Sequence, residues 1–283
     1  MSLVATVVFA TAVSQPISAF PFTYAQKQED GQSAVFLLKS PNSSPIRIGF
    51  GHDPIICPGG KYMAYVVTDG KTDQRITVTE TESQKLVRNF VIDGAMAFGA
   101  PSFNRTGREV MFEVQKKDGN EILRGDLMQD RQPINVMTMG NSPAPVAFPT
   151  YAKLSTSVIF QLDRQWQEID FSTNKFSTLD WKTWLGGLPS NTKITRIAPC
   201  PTNGLITAYS ADIPANPPFS AVFIYDSTKG ESVRVSPIGS QAHTPVWAQD
   251  NISLSLMVKE QSATDFAPYL VRFDGKNLVK VGR

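Results

Sequence analysis

The chain has 283 residues, 41% hydrophobic and 18% charged, with 20 prolines, 19 glycines and a formal net charge of +2. That balance creates no large field and includes no block of five or six like charges, which argues against nucleic-acid binding and against a charged interaction tail. No stretch approaches the eighteen or more apolar residues that a spanning helix needs, so no transmembrane segment is expected.

A short apolar run, Leu3 to Phe9, opens the chain. It is followed by Ala10-Thr11-Ala12, a small-x-small cleavage pattern, and a second candidate cut lies after Ala19. No Lys or Arg precedes the run, and a cut after Ala19 would remove a strand. Residues 1–12 therefore stand between three readings: a signal remnant, an appended leader, or an outer closing strand. AFPFTYAQ, QSAVFLLKS and PIRIGF then alternate apolar and polar residues as far as Phe50, the mark of short strands.

From Pro54 onward a twelve-residue pattern recurs. PIICPGGKYMAY (from Pro54), PSFNRTGREVMF (Pro101), PTYAKLSTSVIF (Pro149), a weaker TRIAPCPTNGLI (Thr195) and PVWAQDNISLSL (Pro245) align without gaps, with first positions separated by 47, 48, 46 and 50 residues. Self-similarity at this period means a stacked or circular array, because one repeat cannot bury its own apolar face. Within each copy the hydrophobic period is two, and β-branched and aromatic residues are bounded by Gly, Asn and Asp. In the Pro101 copy, strands ending at Phe103 and Gln115 are followed by EILRGDL and PINVM. Four strands in about 47 residues make one propeller blade.

Extending the alignment backwards places Thr11 at the proline position and Val13 at the aromatic one, which adds a blade at the start. The expectation is an all-β, six-bladed β-propeller of four-stranded antiparallel blades, at about 10–50, 51–94, 98–140, 146–182, 192–237 and 242–283. The ring is expected to close by contacts between the first and last blades, and helix is expected only as a turn around Trp181 to Leu185. The third residue of each copy, Ile56, Phe103, Tyr151, Ile197 or Trp247, is read as an inner-strand side chain packed between neighbouring blades. Cys57 and Cys200 fall on blades far apart around such a ring, beyond the ~7 Å Cα separation that a disulfide allows, so both are expected as free thiols.

The Pro54 and Pro101 copies carry a proline and a large apolar residue on the first strand, a turn, a basic residue and an apolar strand. In this they resemble the TolB-type propeller repeat. The family's Asp-Gly turn has drifted here to Gly59-Gly60, Thr106-Gly107 and Asp250-Asn251. The resemblance covers five copies and implies a propeller in an envelope setting, hence an exported, periplasmic protein. It does not specify function, since such repeats occur in scaffolds, enzymes and peptidase gate domains.

Motifs for chemistry are sparse. There is no G-x-S-x-G elbow, no phosphate loop and no HExxH or paired CxxC. The two histidines, His52 and His243, each stand two residues before the first position of their copies. In a propeller that is the connection between fourth and first strands, at the mouth of the channel. Neutral imidazole is a common metal ligand and a useful acid or base, and Asp53 and Gln241 lie close enough in sequence to complete a set. The same face carries the loops between second and third strands: the proline-stiffened Asp212 to Phe219, the connection holding Trp181 and Trp184, and Phe266. These residues are the candidate binding surface.

The leading expectation is a non-enzymatic protein-interaction scaffold, monomeric, that engages another protein or a peptide at this face and has no cofactor, no metal and no catalytic residues. The alternatives are a carbohydrate-active or metal-dependent lyase or hydrolase using His52 and His243, and a small-ligand sensor domain.

Overall fold

Alternating apolar residues put one face of every strand into a neighbour, and the chain resolves into consecutive antiparallel hairpins. The computed structural model describes residues 19–69, 72–140, 147–162, 165–180 and 188–281. A first sheet holds β1 (Phe22–Lys27), β2 (Ser33–Leu38), β3 (Ile46–Ile56), β4 (Tyr62–Thr68), β5 (Asp73–Glu80) and β6 (Leu86–Phe90) in chain order. The second holds β7 (Ala95–Phe98), β8 (Ser102–Phe103), β9 (Glu109–Lys116), β10 (Gly119–Asp126) and β11 (Ile134–Gly140). The third is β12 (Ala147–Ala152), β13 (Ser157–Leu162), β14 (Gln165–Asp170) and β15 (Lys175–Thr178). The fourth is β16 (Lys193–Pro199), β17 (Ile206–Ile213), β18 (Phe219–Asp226) and β19 (Glu231–Arg234). The fifth is β20 (Gln241–Trp247), β21 (Ser253–Lys259), β22 (Ala267–Arg272) and β23 (Val279–Lys280). A 3-10 turn at Lys153–Ser155 is the only helical element among the described residues.

The propeller has five blades, not the six that the repeat alignment predicts. The reason lies in β3, which runs unbroken for 11 residues. Its first half pairs with β2 (Leu37 opposite Ile46) and its second half with β4 (Ile55 opposite Ala64). The segments expected as two blades share this strand and form one six-stranded sheet. Nor is every blade four-stranded: in the second sheet the inner strand is split into β7 and β8 on either side of Ala100-Pro101, and both parts pair with β9. Thr11 and Val13, the Leu3 to Phe9 run, and the turn at Trp181 to Leu185 lie outside the described residues.

Ile56, Phe103, Tyr151, Ile197 and Trp247 are each no more than 6% exposed, as expected of inner-strand core. Trp247 shows the inter-blade role directly, since its indole N–H donates to the Ala198 carbonyl of the preceding blade at 2.7 Å. Apolar clusters bind adjacent sheets: Val66, Val78 and Phe90 meet Phe112 and Val114 between the first and second, and Tyr209 stacks on Phe223 at 5.3 Å within the cluster joining the third and fourth. Each such side chain contributes roughly 1.5–3 kcal/mol on burial. The ring closes through packing of Ala19, Phe22, Tyr24 and Leu38 against Ala248, Leu270 and Val281. A hydrogen bond from Gly59 N–H to the Gln249 carbonyl, 3.3 Å, also ties the first sheet to the last. Cys57 and Cys200 are both free and buried.

One irregularity recurs and positions the channel mouth. The inner strand of four sheets slips register at the same repeat position: between His52 and Ile55, Ala147 and Thr150, Ile194 and Arg196, and His243 and Val246. Pro54, Pro149 and Pro245 stand there. Proline has no N–H for the ladder, so pairing has to skip a step, and the residue before it takes up the bulge. Asp53, Phe148 and Thr244 accordingly adopt φ values of 48°, 57° and 57°. In the fourth sheet Thr195 replaces the proline, and its hydroxyl bonds Ser210 Oγ at 2.9 Å instead.

Candidate functional site at the channel mouth

The bulges turn His52, Asp53, Arg196, His243 and Thr244 toward one cavity of about 210 Å³, walled by β1 and by Ser255 to Met257 of β21. Three of the expected site residues, His52, Asp53 and His243, are thus brought together. Phe266, from the loop after β21, packs its ring on His243 with centroids 4.4 Å apart at 56°. Gln241 and Phe219 do not join them. They line a separate open groove on the rim of the fourth blade with Asp212 and Pro218, and Phe219 lies under the Arg234 guanidinium at 5.1 Å. Trp181 and Trp184 lie outside the described residues.

His52 is clamped between two carboxylates. Its Nδ1 meets Asp53 Oδ2 at 3.0 Å and its Nε2 meets Asp73 Oδ1 at 2.9 Å. Asp73 begins β5, directly after the loop from β4, and its other oxygen accepts the Phe98 backbone N–H of the second sheet at 3.0 Å. The second oxygen of Asp53 accepts from Arg196 Nη1 at 3.0 Å. Arg196 in turn lies over the Phe148 ring, 5.1 Å from its centroid. A continuous chain of charges, Asp73, His52, Asp53 and Arg196, therefore runs across the channel mouth.

The two histidines occupy equivalent repeat positions but differ in charge, one cationic and one neutral. Burial alone would lower the His52 pKa, but the hydrogen bonds and charges of Asp53 and Asp73 outweigh it and raise it to about 10. Burial works against ionisation of Asp53 and Asp73 too, yet the partnership with His52, joined by Arg196 at Asp53 and the Phe98 amide at Asp73, holds both below the ordinary carboxylate range. His243 goes the other way: burial lowers its pKa, the Arg196 charge lowers it further, and the opposing pull of Asp212 and Asp53 does not make up the difference. Its Nδ1 meets the Thr244 hydroxyl at 2.6 Å. His52 is a structural cation, and His243 is a neutral imidazole near neutral pH.

This limits the chemistry. An imidazolium with both N–H groups committed has no lone pair for a metal and accepts no proton. Among the described residues no group of three His, Cys, Asp or Glu is placed to hold a metal ion, and Gln241 does not line the cavity that His52 and His243 share. Sequence reasoning missed Arg196, Asp73 and Phe148. Arg196 left one sign: it is the only charged residue at the second repeat position, where the other copies have Ile55, Ser102, Thr150 and Val246.

No family model and no curated protein matches the chain. Among solved structures it is similar to TolB from Acinetobacter baumannii, with a TM-score of 0.67 at 17% identity over 92% of this chain. The fold is that of a TolB-like β-propeller. The chain spans 63% of the length of that TolB. A putative TolB from Agrobacterium tumefaciens matches 84% of this TolB-like chain and 83% of its own length at a TM-score of 0.58 and 10% identity. An oligogalacturonate lyase from Vibrio parahaemolyticus matches 90% and 72% at 0.55 and 12%. At such identities the likeness carries the fold of the TolB-like propeller and not its chemistry. No helix among the described residues is long and apolar enough to cross a membrane.

Proposed function

We propose that this TolB-like propeller is a non-enzymatic, monomeric interaction module of an exported, envelope setting, and that it engages a protein or peptide at the channel-mouth face. The observation that carries the reading is the Asp73–His52–Asp53–Arg196 chain, whose charges neutralise one another and leave His52 neither basic nor able to ligate. Beside it Phe266 packs on His243, and the separate groove on the fourth blade's rim adds Phe219 and Asp212, a mixture of apolar and polar groups suited to recognition. The lyase or hydrolase alternative would need His52 as base or ligand, and that residue is already consumed.

Capture from an extract of the native organism tests the proposal. The double variant His243→Asn with Phe266→Ala should lose a partner that the wild type retains, and metal analysis of both proteins should find no stoichiometric metal. Stoichiometric metal that disappears on His243→Asn would replace this reading with the enzyme.

A further inference from the structure

Arg196 has more hydrogen-bonding capacity than the protein around it uses. Its side chain is only 14% exposed, and a buried guanidinium is costly unless its donors are met. It has five N–H donors; Nη1 donates to Asp53, and the planar face lies over the Phe148 ring. Among the described residues Nε and Nη2 have no partner. The neighbouring anions cannot supply one: the Asp53 oxygens serve Arg196 and His52, and those of Asp73 serve His52 and the Phe98 amide. Arg196 lines both the 210 Å³ upper cavity at the channel mouth and a smaller one of about 60 Å³.

A second donor faces the same space. When the Thr244 hydroxyl donates to His243 Nδ1, the neutral ring carries its proton on Nε2, which has no hydrogen-bond partner among the described residues. The rest of the wall is mostly apolar, with Phe22, Val246, Leu256 and Met257, and polar at Thr23, Ser255, His52 and Asp53.

From this arrangement we infer that the upper cavity binds a small molecule through a single carboxylate, received by the open edge of Arg196 and the Nε2–H of His243, with an apolar body against Phe22 and Met257. Planar, two-donor geometry is what guanidinium offers to a carboxylate. The four charges already present sum to zero, so the hold on a carboxylate comes from directed N–H donors and not from net positive charge, and a phosphate dianion would bring one more uncompensated charge beside Asp53. The volume is below the roughly 300–1,000 Å³ of drug-sized sites, which keeps the ligand small. This site shares His243 with the proposed docking face, so Arg196, which the partner-capture test leaves unaltered, is the residue that tests it separately.

Saturation-transfer NMR on the full chain tests it with butyrate, benzoate and their methyl esters as probes, and with inorganic phosphate, which has no carbon-bound protons, as a competitor of benzoate. Butyrate and benzoate should bind in the millimolar range expected of fragments, while the esters give no signal and phosphate binds at least about tenfold more weakly. Arg196→Lys keeps the charge but loses the fork, and should weaken benzoate about tenfold or more. Arg196→Gln should abolish benzoate binding, and Arg196→Lys carries the test alone if that variant does not fold. His243→Asn should weaken benzoate by a smaller factor. Equal binding of esters and acids, tighter binding of phosphate, an unchanged Arg196→Lys variant, or no transfer from either carboxylate at about 10 mM would each overturn the inference. A protein that captures its partner yet ignores carboxylates removes this inference alone, and the reverse result removes the interaction module alone.

Discussion

Arg196 and Asp53 are 143 residues apart in sequence and 3.0 Å apart in space, which joins the fourth sheet to the first across the channel. Their side chains are 14% and 25% exposed, so the pair is mostly buried, and removing one partner strands the other charge. Asp53→Ala should cost about 3 kcal/mol, the lower end of the range for a broken buried pair. The double variant Asp53→Ala with Arg196→Met should recover much of that loss in urea denaturation. Additive losses would mean that the pair is not coupled.

The same network makes stability depend on pH with a definite sign. His52 has an ordinary value of 6.5 that folding raises to about 10, so its contribution is full below 6.5 and is lost as pH climbs through 10. Asp53 and Asp73 are depressed from 3.8. Their contribution is present above that value and is lost as pH falls through the lower folded values. The urea midpoint should therefore decline between pH 6.5 and 10 in the wild type, and His52→Asn should flatten this decline. Parallel curves for the two proteins would show that His52 is not held as a cation.

Trp247 fills the seam between the last two blades and donates to Ala198. Trp247→Ala should destabilise by roughly 3–5 kcal/mol as a large-to-small core change. Leu86, 54% exposed on the outermost strand of the first sheet, serves as the contrast, and Leu86→Ala should change stability by no more than about 0.5 kcal/mol. Equal losses on chemical denaturation would contradict the packing order of the blades.

Why some of this was legible and some was not follows from what sets each feature. Strands and the buried third position were readable because a period of two and a bulky residue report burial directly, and Trp247 and Tyr151 behave accordingly. Blade count was not, because the alignment marks repeats, whereas sheet membership depends on whether a strand such as β3 breaks between them. His52 and His243 were found through their shared repeat position. Their partners were not: the bulge at Asp53 decides that His52 meets Asp73, and only the closed ring brings Arg196 to Asp53.

Gly59 and Gly60 separate backbone strain from steric fit. Both have positive φ, 80° and 77°, but a Cβ on Gly59 meets nothing, while one on Gly60 falls 1.7 Å from Gln249 Oε1. Gly59→Ala should cost about 1 kcal/mol for the left-handed backbone alone, and Gly60→Ala should cost more. Adding Gln249→Ala should relieve the excess at Gly60 and leave Gly59→Ala unaffected. Thermal melts of the four proteins check this.

Cys57 and Cys200 are 1% and 4% exposed, and burial pushes the Cys57 thiol up from its ordinary value. A thiol reagent should titrate two groups per chain in denaturant without reductant and react far more slowly with the native protein. Fewer than two groups before reduction would mean that the pair is oxidised.

The junction of Phe22, Tyr24 and Leu38 with Ala248, Leu270 and Val281 also sets a timetable. Every sheet is made from consecutive hairpins and completes its own pairing soon after it emerges from the ribosome, but this apolar wall of the first sheet awaits Ala248, Leu270 and Val281 of the fifth. At about 5–20 residues per second the delay is on the order of ten to fifty seconds. For that interval the nascent chain is an open arc with a sticky leading edge, and it becomes a ring only when the fifth sheet arrives.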